Sequence, residues 1–120
     1  MGYLRDLIQG TPARSPHWPK ARAEHLKRQP ACAACGGTVN LEVHHIIPFS
    51  SPHGRDHELD PLNLLTLCEA GPNCHLTFGH LRDWKKCNPM VVKDSALYLS
   101  RLQQYRYPPA SSPPPAPPAK

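Results

Sequence analysis

Four of the five cysteines in this 120-residue chain are spaced in pairs. Cys32 and Cys35 are separated by two residues, while Cys68 and Cys74 are separated by the five-residue stretch EAGPN, which is rich in turn formers. Two thiolate pairs on separate short loops suit tetrahedral zinc, because the ion closes the loops on each other. The pattern therefore predicts a structural zinc site, with buried unligated cysteines as the alternative. Cys87 is left over and is predicted to end a helix without a role, with an alternate zinc ligand as the other reading.

Two adjacent histidines, His44 and His45, lie in the apolar run LEVHHIIPF, which is typical of a strand. Successive side chains of a strand point to opposite faces, so the two imidazoles must meet different surroundings. For an isolated pair, one core histidine and one solvent-facing histidine would suffice. His75 follows Cys74 directly, and His80 comes five residues later, about 140° around a regular helix. A regular helix would therefore place His75 and His80 on different faces, unless Gly79 or a late helix start changes the geometry, and a polar residue on the helix surface is one reading of His80.

A short series of predicted elements must position these side chains. The patterning predicts a helix over residues 16–28, a strand over 41–48, a polar loop over 50–60, a second strand within 61–68, a helix over 74–86 and a last helix over 94–105. The two strands can pair as a hairpin, which makes the chain a small α+β protein. In the first helix, His25 is predicted to pack inward; in the helix over 74–86, Leu81 and Trp84 are predicted to do the same.

The composition limits the fold to one small domain. The 16 prolines and the few aromatic residues leave little apolar surface to bury, so a metal is the natural supplement to the core. Residues 16–107 are assigned to this domain, residues 1–15 to an N-terminal arm, and residues 108–120 to a disordered Pro-rich tail. No secretory signal and no stretch long enough to span a membrane is present, which predicts a soluble, cytoplasmic protein with reduced cysteines.

The order of the chemical motifs along the chain resembles that of the HNH endonuclease family. The matching elements are CAAC, EVHHIIPF, DPLNLLTLC and CH, which together span about residues 16–90. The chain departs from the commonest pattern in the wide spacing from Cys68 to Cys74. It also has His44 where many members have Asp, although both side chains are good ligands for divalent metals.

The resemblance implies a ββα-metal core with zinc knuckles and assigns a role to each motif residue. By position, His44 is a ligand of a catalytic divalent ion and His45 is the general base that activates water. His75 is the metal ligand from the helix, and His80 is the candidate third ligand, with a polar histidine on the helix surface as the alternative. Asn63 matches the residue that holds the hairpin and orients the base through backbone hydrogen bonds; an ordinary turn asparagine is the alternative.

The formal net charge of +5 suits a polyanionic partner such as nucleic acid or an anionic membrane. The resemblance selects DNA and excludes a membrane partner. Contacts with DNA phosphates are predicted for basic residues at the end of the helix over 74–86 and on the first helix: Arg82, Lys85, Lys86, Lys20 and Arg22.

The sequence thus predicts a metal-dependent HNH endonuclease that hydrolyses phosphodiester bonds in DNA and leaves 5′-phosphate and 3′-hydroxyl ends. Its expected cofactors are a structural Zn²⁺ and one catalytic divalent metal, Mg²⁺, Mn²⁺, Ni²⁺ or Zn²⁺, with no small-molecule cofactor. The alternative is a non-catalytic, zinc-bound DNA-binding or adaptor module that assists a phage or mobile-element protein. The two differ at His45, because a binding module needs no base beside a metal ligand.

Overall fold

A computed structural model describes residues 14–106 and 117–118. Its regular elements are helix α1 (Trp18–Arg28), strand β1 (Leu41–His45), strand β2 (Leu64–Cys68) and helix α2 (Val91–Arg106). Short 3-10 turns lie at Gly54–His57 and Pro61–Asn63, and a π-helical turn lies at His75–Gly79. The predicted small α+β class is confirmed, while the predicted arm and tail lie almost entirely outside the described residues. None of the described helices is long and apolar enough to cross a membrane.

The two strands form an antiparallel hairpin, as predicted. Leu41 pairs with Cys68 at one end of the hairpin, and His45 pairs with Leu64 at the other. All five residues of β2 are buried, which explains why LLTLC reads as an unbroken hydrophobic run rather than an alternating one. Strand β1 is buried only over its last three residues and ends at His45, three residues before the predicted end.

Helix α1 is fastened to β2 by the residue at its C-terminal end, Gln29. The Gln29 side-chain oxygen accepts hydrogen bonds from the Thr66 backbone amide at 2.7 Å and from His25 Nε2 at 3.1 Å. The Thr66 hydroxyl in turn donates to the Gln29 carbonyl at 2.7 Å. His25 is the buried residue of this helix, which confirms that it packs inward.

The predicted helix over residues 74–86 is wrong: only the π-helical turn His75–Gly79 forms. Leu81 and Arg82 have φ angles of 54° and 67°, in the left-handed region, which a right-handed helix cannot contain. Asn88 replaces the missing helical hydrogen bonds, because its backbone amide donates to Gly79 O and its side chain donates to Phe78 O, both at 2.9 Å. The chain beyond Gly79 is therefore an irregular loop.

This loop also overturns the predicted packing of two hydrophobic residues. Leu81 is 49% exposed and Trp84 is 53% exposed, so neither belongs to the core. The core lies instead between the hairpin, the cysteine-bearing loops and the start of α2. Its buried residues are Cys32, Ala34, Leu65, Leu67, Cys68, Cys74 and Val91.

Helix α2 begins three residues earlier than predicted, at Val91, because Asn88 also organises its start. The Asn88 side chain accepts a hydrogen bond from the Met90 amide at 2.9 Å and donates to Asp94 at 2.8 Å. Asparagine oxygens suit this position, since the first amides of a helix have no partner within the helix.

Candidate metal and catalytic site

The four paired cysteines meet at one point of the core. Their sulfurs all lie within 4.8 Å of one another, and Cys35 Sγ lies 3.7 Å from Cys68 Sγ. A tetrahedral ion with Zn–S bonds of ~2.3 Å separates its sulfurs by ~3.8 Å, so this spacing fits zinc. The sulfurs are too far apart for a disulfide bond, which is ~2.05 Å long.

The loop that carries the first two cysteines is shaped for thiolates. The amides of Cys35 and Gly37 point at Cys32 Sγ and Cys35 Sγ at 3.5 and 3.4 Å. Gly36 has a φ angle of 76°, which closes the tight turn at little cost for a residue without a side chain. Burial raises the pKa of the Cys74 thiol, so a sulfur at this position ionises readily only beside a cation.

Three of the predicted histidines form a second cluster. His75 Nε2 lies 3.1 Å from His44 Nδ1 and 3.2 Å from His80 Nε2. The wide π-helical turn accounts for the position of His80, because it brings residues i and i+5 close together, where a regular helix would separate them. Gly79 leaves room for the imidazoles: a Cβ atom there would lie 3.0 Å from the His44 ring and 3.2 Å from the His75 ring.

The outer nitrogens of two of these rings are held by hydrogen bonds. His75 Nδ1 donates to the Glu69 carboxylate at 2.9 Å, and His80 Nδ1 donates to the Lys86 carbonyl at 2.7 Å. With these protons fixed on Nδ1, the Nε2 atoms of both rings are acceptors that face each other. Two lone pairs that face each other repel unless a cation lies between or beside them. In histidines that bind a metal, the other ring nitrogen usually donates a hydrogen bond, as Nδ1 does in both rings here.

His44 is the third imidazole of this set, and it is neutral. Burial, together with the neighbouring His75 and His80, lowers the pKa of His44 to about 3, so the ring carries a lone pair at neutral pH. Metal–nitrogen bonds of ~2.0–2.1 Å place ligand nitrogens ~3.0–3.4 Å apart, which is the spacing seen here. Three imidazoles suit borderline divalent ions such as Zn²⁺ or Ni²⁺ better than Mg²⁺, which prefers oxygen ligands.

His45 points away from this cluster, as strand alternation requires. Its Nε2 donates to the Glu58 carbonyl at 2.9 Å, and its ring packs on Trp18 with centroids 4.5 Å apart. The proton is thus fixed on Nε2, which leaves Nδ1 as the acceptor, 3.5 Å from Arg14 Nη1. Burial lowers the pKa of His45 to about 4, which the hydrogen bond to Glu58 opposes and the Arg14 charge reinforces. The His45 imidazole is therefore neutral at neutral pH, with a pKa below the unshifted value that the sequence suggested.

Asn63 makes the backbone hydrogen bonds expected of its motif position. Its side-chain oxygen accepts from the Ile47 amide at 2.7 Å, and its side-chain nitrogen donates to the carbonyls of Ile47 at 3.2 Å and His57 at 3.0 Å. These bonds tie the end of β1 to the loop that supplies the Glu58 carbonyl. Asn63 therefore supports the position of the His45 ring from a distance.

The predicted DNA-binding residues lie on two elements of the fold. Arg82, Lys85 and Lys86 are exposed on the loop after the π-helical turn rather than on a helix end. On α1, Lys20 is exposed, while Arg22 lies 3.5 Å from the Glu42 carboxylate.

Four further residues lie around these sites without having been predicted as site residues. Glu69 and Arg14 are isolated charged residues, and neither belongs to a spaced motif. Trp84 was predicted to pack inward, yet its ring lies 5.2 Å from His75 and 4.9 Å from His80. The ring of Phe49 lies against the Arg14 guanidinium, 4.9 Å from its central carbon.

One of the comparisons with known proteins gives a match, and that match covers both clusters. The HNH endonuclease family model matches residues 32–80, a stretch that includes the hairpin, the π-helical turn, all four clustered cysteines and all three clustered histidines. No curated protein and no solved structure matched the chain. Residues 32–80 therefore match the HNH endonuclease family, which is the family that the sequence motifs resemble.

Proposed function

We propose that this chain is a metal-dependent endonuclease that hydrolyses phosphodiester bonds in DNA. The observation that carries the proposal is that His44 and His45, which are adjacent in β1, have different surroundings. His44 enters a cluster of three imidazoles with converging lone pairs, while His45 has its proton fixed on Nε2 and carries a lone pair on Nδ1. A protein that only bound DNA would not need the second arrangement.

In the proposed mechanism, His45 Nδ1 accepts a proton from a water molecule. The Glu58 carbonyl holds the Nε2 proton and so keeps Nδ1 available. The water oxygen forms a bond to phosphorus, the bond from phosphorus to the 3′-oxygen breaks, and the 3′-oxygen takes a proton from solvent. The products are 5′-phosphate and 3′-hydroxyl ends. A divalent ion held by His44, His75 and His80 would supply positive charge for the leaving oxygen.

The lowered pKa of His45 is compatible with this role. Before reaction the ring must be neutral, and burial ensures that it is. Once it accepts the proton, the negative charge of the bound phosphate stabilises the imidazolium, because an opposite charge nearby favours the charged form. A general base of this kind typically contributes ~10²- to 10⁴-fold to the rate.

We assign a structural role to the second metal site. Zinc bound by the four cysteines would join the loop at residues 32–35 to the end of β2 and to the start of the π-helical turn. Such closed four-sulfur sites contribute directly to folding, since the ligands are brought together only in the folded chain.

The proposed substrate is DNA, contacted mainly through its phosphates. The three basic side chains that follow the histidine cluster are Arg82, Lys85 and Lys86, and Lys20 and Arg22 lie on α1. Phosphate contacts carry no sequence information, and no described element presents an evident base-reading surface, so cleavage should depend little on sequence and strongly on salt.

The proposal is tested by plasmid cleavage with metal-stripped protein to which Mg²⁺, Mn²⁺, Ni²⁺ or Zn²⁺ is added back. His45→Ala should cut ~10²- to 10⁴-fold more slowly than wild type, with metal and DNA binding retained. His53→Ala is the matched control, because His53 is an exposed loop histidine. Metal-independent cleavage, or equal rates for the two variants, would contradict the assignment. DNA binding without cleavage by any of the metals would favour the adaptor alternative.

A further inference from the structure

Arg14 lies directly on the proposed base, yet the proposed mechanism gives it no role. Its guanidinium carbon is 5.2 Å from the centre of the Trp18 ring and 4.9 Å from that of Phe49, so two aromatic rings hold the cation. From this position Nη1 is 3.5 Å from His45 Nδ1, the nitrogen that must accept the proton.

The backbone beside Arg14 is anchored to the same residue that orients the base. The amide of Ser15 donates to both carboxylate oxygens of Glu58, at 3.2 and 3.1 Å, while the Glu58 carbonyl accepts from His45. Glu58 is 4% exposed, so it forms a buried link between the two side chains. Arg14 and His45 are thus held at a defined separation by a common partner.

The guanidinium is also free to take an anion. Within residues 14–106, no carboxylate pairs with Arg14; its neighbours are aromatic rings and a neutral imidazole. A guanidinium offers a planar fork of donors that matches two oxygens of one phosphate. Among the described residues, the Arg14 guanidinium is therefore a charged donor group without an acceptor of opposite charge.

The position of the reacting phosphate follows from that of the base. The attacking water must lie within ~3 Å of Nδ1. Phosphorus must lie ~3–3.5 Å beyond that water. A guanidinium 3.5 Å from Nδ1 is within reach of the oxygens of that phosphate.

We infer that Arg14 binds the phosphate that is cleaved and holds it in line with the water on His45. The inference rests on the proposed nuclease function. In the free protein the guanidinium covers the free nitrogen of the base. When phosphate binds, the Arg14 guanidinium moves from His45 Nδ1 to the phosphate oxygens. This movement makes Nδ1 accessible to water and places positive charge beside the phosphoryl oxygens.

The test compares Arg14→Gln, Arg14→Lys and the control Arg106→Gln, which removes an exposed arginine at the end of α2. Single-turnover cleavage is measured on a saturating short DNA duplex. We expect Arg14→Gln to be ~10²-fold slower or more, as for loss of a charged transition-state donor. Arg14→Lys should recover only part of the rate, because an ammonium lacks the fork. A rate for Arg14→Gln equal to that of Arg106→Gln overturns the inference.

Two further measurements do not depend on cleavage. The slope of log binding constant against log salt concentration for duplex DNA should be smaller in Arg14→Gln by the amount expected for about one phosphate contact. The imidazole NMR signals of His45 should respond to added inorganic phosphate in wild type and Arg14→Lys but not in Arg14→Gln. If the wild type does not cut DNA but these differences appear, the nuclease proposal fails and the phosphate site stands. If Arg14→Gln keeps both responses, or loses thermal stability and metal together with them, the phosphate site is overturned.

Discussion

Nδ1 of His75 donates a hydrogen bond to Glu69 at 2.9 Å, and the same imidazole directs Nε2 at the two other clustered histidines. The carboxylate fixes the tautomer and the rotation of the ring, and it makes the ring a stronger ligand. Glu69 directly follows Cys68 in the sequence. The residue that orients His75 is therefore the chain neighbour of a residue in the cysteine cluster.

Glu69→Gln should weaken metal binding at the histidine cluster by ~10- to 100-fold, because the amide offers a weaker acceptor to His75 Nδ1. Isothermal titration with Ni²⁺ or Zn²⁺ on protein that keeps its cysteine-bound metal measures the effect. Asp83→Asn is the control, since Asp83 lies on the neighbouring loop and interacts with local backbone amides. Unchanged affinity in Glu69→Gln would show that the hydrogen bond does not tune the ligand.

Gly79→Ala should disrupt the histidine cluster without affecting the cysteine cluster. A methyl group at this position would lie 3.0 Å from His44 Nδ1, which is tighter than nine in ten real Cβ contacts, so the ring must shift by a few tenths of an ångström. We expect at least ~10-fold weaker binding of the added divalent metal, comparable to the loss of an orienting partner. Zinc stoichiometry at the cysteines provides the internal reference. Normal affinity together with a normal unfolding temperature would mean that the cluster tolerates the methyl group.

Cys68→Ser should destabilise the fold far more than Cys87→Ser. Cys68 belongs to the four-sulfur cluster in the core, whereas Cys87 Sγ lies 3.9 Å from His80 Nδ1 and outside that cluster. Structural zinc typically contributes ~10 kcal/mol or more to folding in small domains, and loss of one ligand removes much of it. Denaturant unfolding with elemental analysis for zinc measures both effects. Equal destabilisation by the two substitutions would mean that the fourth ligand has been misassigned.

Folding stability should fall on acidification, in part through His25. Burial lowers the pKa of His25 in the folded state; the hydrogen bond to Gln29 opposes this shift and the charge of Arg28 adds to it. The unfolded chain therefore binds this proton more readily, so the contribution is fully present above about pH 6.5 and is lost as pH falls through the lower folded-state pKa. His25→Gln should flatten the dependence of the free energy of unfolding between pH 7 and pH 5, whereas His53→Gln should not. Parallel curves for His25→Gln and wild type would rule out this contribution.

Much of the chemistry can be predicted from the sequence because it depends on local spacing. Cys32 and Cys35 fit a zinc knuckle on spacing alone, and strand alternation by itself separates His44 from His45. Asn63 is different: its turn position is readable, but its hydrogen bonds to Ile47 and His57 depend on how the loop folds back onto the end of β1.

The prediction failed where distant contacts override local preference. Leu81 and Trp84 have the spacing of a helix face, yet the helix is cut short because Asn88 takes the carbonyls that a further turn would have used. The π-helical turn that precedes this break brings His80 close to His75. A regular helix would have kept the two histidines apart. Arg14 could not be found from the sequence, because its partners Trp18, Phe49 and His45 meet it only in the folded chain.

The hairpin of β1 and β2 connects the cysteine cluster to the histidine cluster, because each cluster includes a residue of the hairpin. Its pairing runs from Leu41 and Cys68 at the cysteine end to His45 and Leu64 at the other end, with His44 one residue away from His45. An ion at either cluster stiffens the strands that supply ligands to the other, so the two binding equilibria should show positive cooperativity. By thermodynamic reciprocity, each metal must then raise the affinity for the other by the same factor. Zinc at the cysteines would thereby set the concentration of the second metal at which this domain becomes active.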